Sequence, residues 1–219
     1  MMKTIIGFLA VAATTFSLLA PAESVTFDDA KTGATPSGWT VAITGKSKSV
    51  WSVEKAAEAP SPPNALKQAA EVPNGSFPLC VKDDTAIADG HVEVKFKALT
   101  GKIDQAGGVV WRYLDANNYY VCRANALEDN VVLYKVHQGK RSSLEIVGRK
   151  GGYGLAAKVP GQKWNTLRVE FKGARFQVSL NGRELFEVDD ATFSKPGRIG
   201  LWTKADSVIL FDDFNYGGK

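Results

Sequence analysis

The stretch that decides the fold is residues 107–138, GGVVWRYLDANNYYVCRANALEDNVVLYKVHQ. Apolar and polar residues alternate along it. The alternation breaks at 114–118 and again at 126–130, where Asp and Asn collect. Period-two alternation cut by Asx-rich turns predicts antiparallel strands, here near 107–113, 119–124 and 131–138. The same block is crowded with aromatics, arginines and amides, which a purely structural sheet does not need.

Outward from this block the pattern continues. Residues 91–99 alternate, with Val92, Val94, Phe96 and Ala98 facing one way and His91, Glu93, Lys95 and Lys97 the other. Such a strand has one buried and one wet face. Asn181-Gly182 joins 175–180 to 184–188 and is the strongest short hairpin signal in the chain. Residues 56–63 read as an Ala/Pro loop, 148–154 as a glycine-rich basic loop, 142–149 as a strand, and 189–193 as a site for a short helix. About fourteen strand candidates with no β-α alternation predict an all-β, two-sheet antiparallel jelly-roll sandwich. The first strand pattern, Thr26-Phe27-Asp28-Asp29, matches the last, Leu210-Phe211-Asp212-Asp213-Phe214, so the two are expected side by side.

The N-terminus reads differently. Lys3 precedes an apolar run from Ile5 to Ala20, and Ala20-Pro21-Ala22 supplies an A-x-A cleavage site. Residues 1–22 are therefore expected to be a signal peptide and 23–219 one domain, exported to the periplasm or beyond. No later stretch approaches the ~20 apolar residues of a membrane span. The 27 Lys and Arg against 23 Asp and Glu are spread evenly, so no nucleic-acid partner is expected. Cys80 and Cys122 sit in strand-like runs and could pair or stay as small buried thiols.

GGVVWRYLDANNYYVCRANALEDNVVLYKV, followed by KWNTLRVEFKG, RFQVSLNGRELFEV, GRIGLWTKADS and FDDF, resembles exported bacterial laminin-G-like domains with the concanavalin-A-like lectin/glucanase jelly roll. The grouping it is most similar to is the domain family named after 3-keto-disaccharide hydrolase. The resemblance spans 25–216 and implies carbohydrate as partner. It carries no catalytic set. The Glu-x-Asp-x-x-Glu strand of the related glucanases is absent, which argues against ordinary retaining chemistry with its paired carboxyls.

Sugar recognition uses rings against C–H faces and planar donors and acceptors for hydroxyls. Trp111, Arg112, Tyr120, Arg123, Asn125 and Trp202 supply those types and are the expected substrate-binding set. Read as a simple hairpin, the ribbon places Val109, Trp111 and Tyr113 with Tyr119, Val121 and Arg123, and Val110 and Arg112 with Tyr120, Cys122 and Ala124. The expectation requires these rings and guanidinium groups to reach an open surface. Three functions fit: a glycan-binding module, a 3-keto-disaccharide hydrolase, or a structural module without a small ligand. Cleavage of a 3-keto-glycoside by elimination needs a base and an enolate stabiliser. Glu128 or His137 would be the base, and Arg112 or Arg123 the stabiliser. No cofactor motif is present. Calcium is the one metal the pattern admits, through Asp28, Asp212 and Asp213 near the first and last strands.

Overall fold

A computed structural model describes residues 22–219; the expected signal peptide lies outside the described residues but for Ala22. The described residues form strands and no helix. In order they are β1 (Glu23–Val25), β2 (Trp39–Thr44), β3 (Trp51–Lys55), β4 (Asn64–Gln68), β5 (Phe77–Lys82) and β6 (Gly90–Thr100). Then come β7 (Ala106–Asp115), β8 (Asn118–Asn125), β9 (Asn130–His137), β10 (Lys140–Ser143) and β11 (Leu155–Ala156). The last five are β12 (Trp164–Lys172), β13 (Arg175–Leu180), β14 (Arg183–Asp189), β15 (Arg198–Thr203) and β16 (Val208–Gly218).

They make two antiparallel sheets, as the alternation predicts. The first runs β14-β13-β12-β6-β16-β4-β3, with β1 added to β16. The second runs β10-β9-β8-β7-β15-β5-β2, with β11 on β9. Apolar residues of both inner faces interleave, among them Phe96, Phe171, Phe176, Phe211 and Phe214 from the first and Trp111, Tyr120, Leu133 and Leu201 from the second. This is the jelly-roll sandwich expected from facing apolar surfaces.

Local signals explain several details. Asn181 (φ 51°) and Gly182 (φ 77°) both adopt left-handed backbone, the requirement of a tight type I′ hairpin. β1 does pair with β16, Val25 opposite Phe214. Residues 26–29 leave the sheet instead of extending it, because Phe27 turns through φ 65° to fill the core. No helix forms at 189–193; the segment is tied down by side chains. The expected 142–149 strand stops at Ser143, and Ile146 instead bridges Val188 in the other sheet.

Cys80 and Cys122 are both buried and both free, and burial pushes each thiol well up from its ordinary pKa. Among the described residues no helix is long and apolar enough to cross a membrane.

The second sheet curls. Arg141 on β10 lies 4.6 Å from the Phe77 ring on β5 and 5.8 Å from the Trp202 ring on β15. In a flat sheet β10 and β5, five strands apart, would be separated by about 24 Å. The face holding Arg141 is therefore the inside of the curve. It also holds a second apolar cluster, with Leu79, Val81, Val110, Tyr119, Val121, Val132, Tyr134 and Trp202.

Candidate functional site

A bulge re-sorts the expected ribbon. Arg198 pairs with Tyr113 and Gly200 with Val110, so Trp111 and Arg112 together oppose one residue of β15. Arg112 takes φ 46° at this point. A bulge adds one residue and flips every side chain beyond it. Trp111 and Arg112 consequently both point inward.

The expected binding set is mostly sealed, which corrects the open-surface premise. Trp111 is fully buried and packs on Tyr120, Phe171 and Phe176. Arg112, 2% exposed, donates to the carbonyls of Ala88, Phe193 and Gly173. It is a strut between loops. Tyr120 donates to Asp190 at 2.6 Å and accepts from the Phe193 amide. Asn125 donates to buried Asp104 and caps the following turn. Trp202 does lie on the face opposite Ile199 and Leu201, but Phe77 and Arg141 cover it. Arg123 too is only 1% exposed. None of these six offers a ring or fork to open solvent.

One cluster nevertheless reaches the surface, through the partners of Arg123. Arg123 projects onto the curved face and donates through Nη2 to Glu128 at 2.7 Å and to the hydroxyls of Tyr134 and Tyr153, each at 3.2 Å. Its Nη1 contacts Asn130. The Tyr134 and Tyr153 hydroxyls touch each other. Glu128 is 37% exposed and Tyr153 49% exposed, so a sealed cation anchors an accessible carboxylate and phenol. Burial alone would raise the Glu128 carboxyl. Arg123, the Asn130 amide and Lys204 outweigh it and hold the group below the usual carboxylate range. Burial also lifts the Tyr134 hydroxyl against the pull of Arg123.

Local structure explains the cluster. Glu128 sits in the β8–β9 turn, where Asp129 takes φ 45° and accepts from the Val159 amide. Tyr153 arrives from the glycine-rich loop. A Cβ on Gly154 would lie 2.4 Å from the Val131 carbonyl, so only glycine lets this loop press onto β9.

His137 is exposed at the far end of β9, edge-on to Phe193 at 5.8 Å. Along an extended strand it lies about 23 Å from Asn130, beside Glu128, so the two candidate bases belong to different places. Of the expected base and stabiliser combinations, only Glu128 with Arg123 is brought together. Sequence reasoning missed Tyr134, Tyr153 and Arg141. An aromatic inside a glycine-rich basic loop was the available signal for Tyr153.

The acidic trio does not fit calcium. Asp212, fully buried, accepts from the Ser61 and Asp213 amides, and Asp28 accepts from the Asn64 amide. Asp213 takes Lys95 Nζ at 2.7 Å, so an ammonium already supplies the cation. Among the described residues no group of three His, Cys, Asp or Glu is arranged to hold a metal ion. Two cavities lie elsewhere: about 430 Å³ against Lys55–Glu58 and Leu210, and about 120 Å³ beside Glu23, Asp84 and Tyr216.

Comparison with known proteins follows the same lines. A family model described as a 3-keto-alpha-glucoside-1,2-lyase-like domain matches residues 24–215. No curated protein matches the sequence. Among solved structures, carbohydrate binding module CBM66 from Bacillus subtilis superposes with TM-score 0.62 at 22% identity, over 81% of this chain and 94% of that one. The cellulose induced protein Cip1 superposes with TM-score 0.65 at 12% identity, over 90% and 97%. A Bacillus subtilis protein of galectin-like fold gives 0.54 at 10% identity, over 82% and 88%. At these identities the likeness is one of fold.

Proposed function

The chain belongs to the family of 3-keto-alpha-glucoside-1,2-lyase-like domains, and from that premise we propose that it is an exported protein that holds glycans on the curved face of its second sheet. The observation that carries this reading is the Arg123 cluster. A guanidinium sealed in the sheet fixes the carboxylate of Glu128 and the phenols of Tyr134 and Tyr153 at the edge of solvent. Neutral sugars are bound by such fixed acceptors and donors with a ring beside them. The name of the binding module CBM66, which shares the fold, points the same way. Export is supported by the N-terminal apolar run and its A-x-A end.

A second reading, elimination on a 3-keto-glycoside, is favoured by the same pair. The C3 ketone acidifies the C2–H bond. Glu128 would take that proton, a C1=C2 double bond would form, and the aglycone oxygen would leave C1 and take up a proton. Arg123 and the two phenols would steady the charge on the ketone oxygen. Glu128 is a weak base while its carboxyl is held low, and general bases work best near the operating pH. Binding therefore stands first.

A glycan array followed by calorimetry tests the reading, run beside a release assay on 3-keto-glucosides. Binding that Glu128→Gln weakens supports it. Turnover that the same variant abolishes promotes the second reading. Neither binding nor turnover on any sugar refutes both.

A further inference from the structure

The arginines of this domain follow a rule with one exception. Among the described residues, Arg112 and Arg123 are buried and Arg141, Arg168 and Arg198 are partly shielded from solvent. Arg112 faces Asp89, Arg123 faces Glu128, Arg168 faces Glu93 and Glu170, and Arg198 faces Asp83. Arg141 faces no acid. Its side chain makes no hydrogen bond, and its Nη1 is buried without a partner. Only rings hold it: Tyr134 at 4.4 Å, Phe77 at 4.6 Å and Trp202 at 5.8 Å from the guanidinium carbon.

A guanidinium cannot shed its proton, and leaving its donors unmade out of water is costly. Ring faces repay part of that cost. They do not satisfy a planar fork of donors, which matches the oxygens of a carboxylate or a sulfate. Arg141 shares the curved face with Arg123, whose Nε is likewise buried without a partner. Both guanidinium groups lie against the Tyr134 ring. Glu128, the acid beside Arg123, is already engaged by it.

Resting on the glycan reading above, we infer that the sugar bound on this face carries an anionic group, a carboxylate or a sulfate ester, and that Arg141 receives it. The ring floor of Phe77, Tyr134 and Trp202 orients the fork, and the Glu128–Tyr153 edge takes the hydroxyls of the same glycan. Arg141 thereby sets specificity for charged over neutral sugars.

The test titrates the full chain with trigalacturonate, with its carboxyl-reduced neutral counterpart, and with a sulfated neutral trisaccharide. The expected result is an affinity for an acidic ligand at least about tenfold above the neutral one, the worth of one charged hydrogen-bonded contact. The carboxylate and sulfate arms tell which group is preferred. Arg141→Gln should erase the preference, bringing the acidic ligands to the affinity of the neutral one. Arg141→Lys, which keeps the charge without the fork, should retain part of it and covers the case in which the Gln variant does not fold. The wild-type preference should also shrink as salt rises. Equal affinity for charged and neutral sugars overturns the inference while leaving the glycan reading intact. So does a preference that survives in Arg141→Gln, or loss of both ligands by that variant in a natively folded state. Absence of binding to every sugar overturns the glycan reading itself.

Discussion

The outer face of the first sheet carries His91, Glu93, Lys95 and Lys97 in alternation with the core, and its charges meet in partly exposed pairs such as Arg168–Glu170 and Arg175–Glu187. The outer face of the second sheet buries Val110, Tyr119, Tyr134 and Trp202 almost completely, although they lie outside the interlayer core. Both faces grow from the same strand geometry. An outer face open to water needs only polar alternation. A curled one folds its rings together and must be covered. Arg123, Arg141 and the Tyr153 loop provide that cover, and with it come fixed charges over an aromatic floor. The difference locates the candidate site more firmly than any single motif.

Trp111 is packed between the layers and contributes nothing to the curved face. Trp111→Ala should cost about 3–5 kcal/mol of stability in urea unfolding. A cost below about 1 kcal/mol would mean that the bulge at Arg112 does not turn Trp111 inward.

Two acids of the first-sheet strands and their loops should then respond oppositely to pH. Burial raises the Asp190 carboxyl, but Lys135, Thr192 and Tyr120 more than reverse this and bring it down to about 2. Its folded value lies below its ordinary one, so its stabilisation is present above about pH 4 and lost as pH falls toward 2. With a side chain 12% exposed, the loss should be about 2 kcal/mol. Asp190→Asn should flatten it in unfolding measured at about pH 5 and about pH 2. Asp212 goes the other way. Burial, with Asp213 and Asp28 nearby, pushes it up to about 6 against the Ser61 and Asp213 amides. Its stabilisation is present below about pH 4 and lost as pH rises through 6. An Asp212→Asn variant whose stability still declines across that window would remove Asp212 as the cause.

Smaller effects sharpen the contrast between the faces. Glu128→Gln should weaken glycan affinity about tenfold and shift stability by no more than about 1 kcal/mol, because the carboxylate is partly exposed. Arg175→Ala on the first sheet should leave the urea midpoint and the glycan affinity unchanged within error. Equal losses of binding in both variants would erase the distinction.

Most of the fold was legible because period-two alternation survives any loop geometry. The hairpin at 181–182 follows from turn chemistry, while the last strand takes residues 23–25 as its partner in place of the matching 26–29. The site was legible only in part. Arg123 and Glu128 stand within one strand and its turn, so their meeting was local enough to read. Alternation alone sets Arg112 and Trp111 on opposite faces, because a bulge leaves no mark in it. Tyr153 and Arg141 reach the site through sheet curl and loop approach, which are properties of distant residues acting together.

The central claim is that ligand meets the curved face of the second sheet. Backbone amide chemical shifts recorded during titration with an acidic oligosaccharide test it most directly. Shifts should concentrate at Arg123, Glu128, Tyr134, Arg141 and Tyr153. Shifts confined to the outer face of the first sheet, or to the Lys55–Glu58 cavity, would contradict it.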